Sequence, residues 1–79
     1  MSTSKPYFRA IAANLMALRT ILTTVLQDVD HGVEAAGQDN QNGAIGSILP
    51  TEELLKQAAV LVQAIIVLHR QKPGGTHEA

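Results

Sequence analysis

The chain has 79 residues, of which 46% are hydrophobic and only 3% aromatic; it has no cysteine, and six basic residues against seven acidic ones give a net charge of -1. A domain this small buries about 60% of the surface that its unfolded chain exposes, and it usually needs a staple. The composition excludes disulfides and thiolate metal sites, and the even charge balance gives no reason to expect nucleic acid or an anionic membrane as a partner.

Met1 to Lys5 are small and polar, which predicts a disordered start. Ser4 is a candidate N-cap, with Pro6 in the first helical turn, where a missing N–H costs little. From there Phe8, Ile11, Leu15, Leu18, Leu22, Val25 and Val29 recur with gaps that alternate between three and four. That is coiled-coil spacing held for about three heptads, and it predicts helix one over about 6–36 with these residues as its seam. Gly32 costs roughly 1 kcal/mol inside a helix and offers an earlier stop near His31. Val33, Glu34, Ala35 and Ala36 favour the longer helix.

Residues 37–50 read GQDNQNGAIGSILP. The polar run from Gln38 to Gly43 ends in Asn-Gly, and no alternating pattern flanks it, so the segment is predicted to be a loop and not a β-hairpin. Ile45, Ile48 and Leu49 are unusual in a solvated loop. They read either as a plug over the open end of a helical hairpin or as an exposed docking segment.

Helix two is predicted over 51–72. Thr51 is its N-cap, and Glu52 and Glu53 in the first turn suit the helix dipole. Its seam is Leu54, Ala58, Leu61, Ile65 and Leu68. A second apolar row, Leu55, Ala59, Val62 and Ile66, lies beside the seam, and Val60 and Val67 widen the surface further. A helix apolar on so many sides is a buried helix, and one partner helix cannot cover it. Ile65-Ile66-Val67 could form a buried strand, but no second strand candidate exists to pair with it. Arg70 and Lys72 suit the helix C-terminus, Pro73-Gly74-Gly75 stop it, and residues 73–79 read as a disordered tail. The most apolar stretch, Ala58 to Leu68, has 11 residues and is too short to span a bilayer. The start MSTSKPYFRA lacks a signal-peptide layout. A soluble, cytoplasmic protein is expected.

Folded as an antiparallel hairpin, the chain gathers Lys5, Arg9, Arg70 and Lys72 at one end. Asp28, Asp30, Glu34, Asp39, Glu52 and Glu53 gather at the other. A second hairpin laid head-to-tail sets unlike ends together and covers Leu55, Ala59, Val62 and Ile66 as an oligomer interface. The predicted fold is therefore all-α: a single domain over 1–79, an antiparallel helical hairpin that dimerises into a four-helix bundle.

Candidate chemistry is sparse. The sequence has no Gly-rich phosphate loop, no Ser/His/Asp set and no paired metal ligands, so no enzyme activity, cofactor or metal is expected. His31, among Asp28, Asp30 and Glu34, lacks the glycine turn of a calcium loop and reads as part of a solvated acidic face. His69 reads as a helix-end residue, His77 as a solvated one and Arg19 as an interhelical or solvated charge. Tyr7, Arg9 and Arg70 are candidates for holding a small anionic ligand, such as a nucleotide, where subunits meet. The expected function is that of a small regulator or adaptor, acting as a homo-oligomer. It would bind another protein through its helix faces, its acidic end or the Ile45, Ile48 and Leu49 segment. A small-ligand binder and a structural subunit of a larger array are the alternatives.

Overall fold

A computed structural model describes residues 6–71, which form two helices, α1 (Pro6–Gly37) and α2 (Gln41–Arg70), joined by Gln38, Asp39 and Asn40. The helices fold back on each other as an antiparallel hairpin, so the described residues are all-α. Several expectations lie outside them: Ser4 as a cap, Lys5 and Lys72 at the basic end, the two disordered chain ends and a solvated His77.

Three residues suffice for the turn because each end of it is capped. The Asp39 N–H donates to the Ala36 carbonyl at 3.0 Å, and the Asn40 N–H reaches back to the Ala35 carbonyl at 2.9 Å. This is the double bond pattern that closes a helix C-terminus when the next residue turns left-handed. Asp39 is that residue, with φ 58°, a conformation that Asp tolerates better than most side chains. Asn40 then caps α2, its Oδ1 accepting from the Gly43 N–H at 2.9 Å. A Cβ on Gly43 would lie 2.5 Å from the Asn40 side-chain nitrogen, so glycine is what lets the cap sit this close.

The loop expected over 37–50 is thus mostly helix, and Asn40 replaces Thr51 as the N-cap. Pro50 lies inside α2. It gives the Gly46 carbonyl no N–H to accept from, a defect that normally ends a helix. Packing outweighs it here, because Ala44, Ser47 and Thr51 all turn toward α1. Side chains also bond locally around the defect: Ser47 Oγ donates to the Gly43 carbonyl at 2.9 Å and Thr51 Oγ1 to the Ile48 carbonyl at 2.6 Å. At its far end α2 stops at Arg70, and the Gln71 N–H closes onto the Val67 and Leu68 carbonyls.

The inner face of α2 contains Ala44, Ser47, Thr51, Leu54, Ala58, Leu61, Ile65 and Leu68, all buried or half-buried. From Leu54 onward this matches the seam read from spacing. On α1 the inner row is Ile11, Asn14, Leu18, Ile21, Val25, Asp28, Gly32 and Ala35. This corrects the expected seam. Phe8, Leu15, Leu22 and Val29 point away from α2, at 57%, 49%, 45% and 40% exposure. The tight turn explains the rotation. It brings the helices close together near the turn, where only small residues fit: Gly32 and Ala35 face Ala44 and Ser47. A methyl on Gly32 would sit 3.4 Å from the Ala44 carbonyl oxygen and 3.8 Å from Ser47 Cβ. Stepping outward by threes and fours from this layer sets Val25 level with Leu54, Ile21 with Ala58, and Leu18 with Leu61.

The hairpin measures 56 × 27 × 14 Å, with a radius of gyration of 17.9 Å, against about 12 Å for a compact chain of this length. It is one layer of helices. Ala58, at 6% exposure, is the only buried hydrophobic residue among those described, and no large side chain is fully enclosed. Within one hairpin α2 is covered along a single stripe, as expected of a helix too apolar for one partner to cover.

Two substitutions check the turn and the proline. Asn40→Ala should lower stability by about 1 kcal/mol through loss of the cap. Pro50→Ala should raise it by about 1–3 kcal/mol, because an alanine N–H restores the helical bond to Gly46. A proline in a loop would instead stabilise through the unfolded chain, so its removal would lower stability. Urea denaturation at fixed protein concentration distinguishes the two signs.

Candidate functional site

The most distinctive surface is an apolar face shared by both helices. Near the turn, Val29, Val33 and Ala36 of α1 line a shallow groove with Ala44, Ile45 and Ile48 of α2; its volume is about 260 Å³ and Gly32 forms its floor. Heptad steps carry the same face along the hairpin. On α1 they lead from Val29 to Leu22, Leu15 and Phe8, and from Val33 to Leu26. On α2 they lead from Ile48 to Leu55 and Val62, and from Ile45 past the exposed Glu52 to Ala59 and Ile66. Every large apolar residue in these rows is at least 40% exposed. A second groove of about 370 Å³ follows α1 past Leu15, Leu22 and Leu26, edged by Arg19 and Thr23. The opposite face carries mostly small or polar side chains, including Ala17, Thr24, His31, Pro50, Gln57 and Ala64, with Val60 and Val67 exposed at its α2 edge.

Four of the predicted interface residues, Leu55, Ala59, Val62 and Ile66, lie on this face and are open to solvent. Sequence reasoning missed its α1 half, because Phe8, Leu15, Leu22 and Val29 were assigned to the hairpin interior. The signal was present: α1 has two overlapping three-four rows, and the row with the larger side chains is the outer one. Ile45 and Ile48 belong to the face as well, as exposed helical residues and not as a plug over the open end. Leu49 lies on the outer side of α2 at 65% exposure.

The open end brings Tyr7, Arg9 and Arg70 to one level, Tyr7 half-buried and both arginines exposed. Asp30, His31 and Glu34 are exposed on α1, whereas Asp28 is half-buried between the helices. Among the described residues no group of three or more His, Cys, Asp or Glu could hold a metal ion, and no buried side-chain nitrogen or oxygen lacks a hydrogen-bond partner. Three threonines on α1 bond their own backbone: Thr20 to the Met16 carbonyl, Thr23 to that of Arg19 and Thr24 to that of Thr20.

By length and composition α1 is apolar enough to cross a membrane, with an 18-residue window of mean hydropathy 1.3. This is a longer apolar element than Ala58 to Leu68. Core helices of soluble proteins pass the same test when they are mostly buried, whereas 0% of this window is buried within the hairpin. Arg19 stands near the middle of α1, where a bilayer centre would cost it about 2.5–3.5 kcal/mol on insertion scales.

No protein-family model matches the chain, and no curated protein or solved structure is significantly similar to it.

The groove floor makes a stability prediction. Gly32→Ala should be neutral or stabilising by up to about 1 kcal/mol, since its methyl meets Ala44 at ordinary contact distance and alanine favours helix. Gly32→Leu has no such room and should destabilise by about 1–3 kcal/mol by prising the helices apart. Thermal unfolding of the two variants beside the parent chain measures both.

Proposed function

We propose that this chain is a small, soluble, non-enzymatic interaction module, a regulator or adaptor that works as a homo-oligomer. Two hairpins join through their apolar faces into a four-helix bundle. One observation carries this reading: a hairpin one layer thick leaves a whole face of large apolar side chains in water. Contiguous apolar surface on this scale marks an interaction site. The broad side of the hairpin, 56 by 27 Å, has room for the roughly 800 Å² per partner that a standard protein interface covers. Burying it stacks a second layer of helices on the first, which supplies the missing core.

Arg19 and Gln27, exposed on α1, favour water over lipid as its surroundings. With one face used for self-association, the outer surfaces remain to bind another protein: the acidic residues Asp30, Glu34 and Glu53, and exposed Leu49 and Val60. Light scattering at micromolar concentration tests the assembly. The parent chain should have twice the mass of its monomer, and Leu22→Asp, which puts a charge in the centre of the face, should return it to one. A parent chain that stays monomeric refutes the proposal.

A further inference from the structure

We infer that the apolar face is covered by a second copy of the hairpin lying with its turn at the opposite end. The two-fold axis crosses near Leu22, and Phe8 of each copy fills the other's groove at the turn. This rests on the bundle proposed above and specifies its geometry.

The first argument is size. The outer row of α1 is Phe8, Leu15, Leu22, Val29 and Ala36, each one heptad from the next. Leu22 adjoins the midpoint of Pro6–Gly37. The row runs from its largest side chain at the open end to its smallest at the turn. A two-fold axis at Leu22, across the helices, sets Phe8 against the partner's Ala36 and Leu15 against the partner's Val29, while Leu22 meets itself. Large side chains then face small ones and the bundle fills evenly, as close packing requires. The groove beside Ala36, about 260 Å³ and lined by Val29, Val33, Ile45 and Ile48, is an apolar receptacle for the Phe8 ring.

The second argument is charge, which is independent of size. Every acidic residue among those described lies from Asp28 to Glu53, the half of the hairpin nearer the turn. Every lysine and arginine among them, Arg9, Arg19, Lys56 and Arg70, lies in the open half. Turns at the same end would press acid on acid and base on base. Turns at opposite ends set each acidic half on a basic one. Surface charges act weakly one by one, but opposed halves act together to select orientation.

The chain has no cysteine, so introduced thiols report geometry without background. Proteins carrying single substitutions are refolded together and mildly oxidised, then separated by mass. Leu22→Cys should link to itself, and Phe8→Cys should link to Ala36→Cys. Phe8→Ala should raise the dimer dissociation constant at least tenfold, measured by light scattering across a dilution series. If the chain is a dimer but Leu22→Cys links instead to Leu55→Cys, the turns lie at the same end and this arrangement is wrong, while the bundle stands. If the chain is a monomer, both the bundle and the arrangement fall.

Discussion

The short turn is the constraint on which the rest of the molecule depends. Asp39 reverses the chain in a left-handed conformation, and Asn40 closes one helix and opens the next. With no slack between the helices, their register and rotation are set within a few residues of Ala35 and Ala44. The backbones come close there, and a glycine, two alanines and a serine meet where leucines would not fit. Propagated along two rigid helices, this local choice decides which row of side chains turns inward for the full length of the hairpin.

The outcome is an interior of modest size and mixed chemistry. It includes Asn14, Asp28 and Thr51 together with Ile, Leu and Val, and the only buried apolar residue among those described is an alanine. The richer apolar row of α1 is left outside, next to the equally apolar second row of α2. Hydrophobic burial is the main favourable term in folding, and here much of it is still to be gained once the hairpin has formed. In the proposed bundle, folding and association would therefore be coupled, because the face that leaves the hairpin marginal alone is the one a second copy would cover.

The segment from Gln41 to Pro50 shows how local signals can lose. Gly43, Gly46 and Pro50 all argue against helix, and Asn42-Gly43 is a strong turn dipeptide. The segment is helical because the cap at Asn40 starts it and because Ala44, Ser47 and Thr51 repeat at the spacing that reaches α1. Thr51 followed by two glutamates has the composition of an N-cap, yet the cap that forms is Asn40, whose side chain accepts from the Gly43 N–H. On α1 the ambiguity was of another kind. Ile11, Leu18 and Val25 fit the three-four spacing of both rows, so spacing alone does not say which companion row, Phe8 to Val29 or Asn14 to Ala35, turns inward.

By itself the sequence determined that the described chain is two amphipathic helices, that Leu54, Ala58, Leu61, Ile65 and Leu68 form the inner stripe of the second, and that Leu55, Ala59, Val62 and Ile66 are left over. These follow from periodicity, which a helix imposes whatever its surroundings. The tertiary structure decided where the turn falls, that Pro50 is carried inside a helix, and which face of α1 is buried. Each of these depends on how closely two backbones approach. That distance is set by the size of the residues facing each other across the pair, and no one-dimensional pattern contains it.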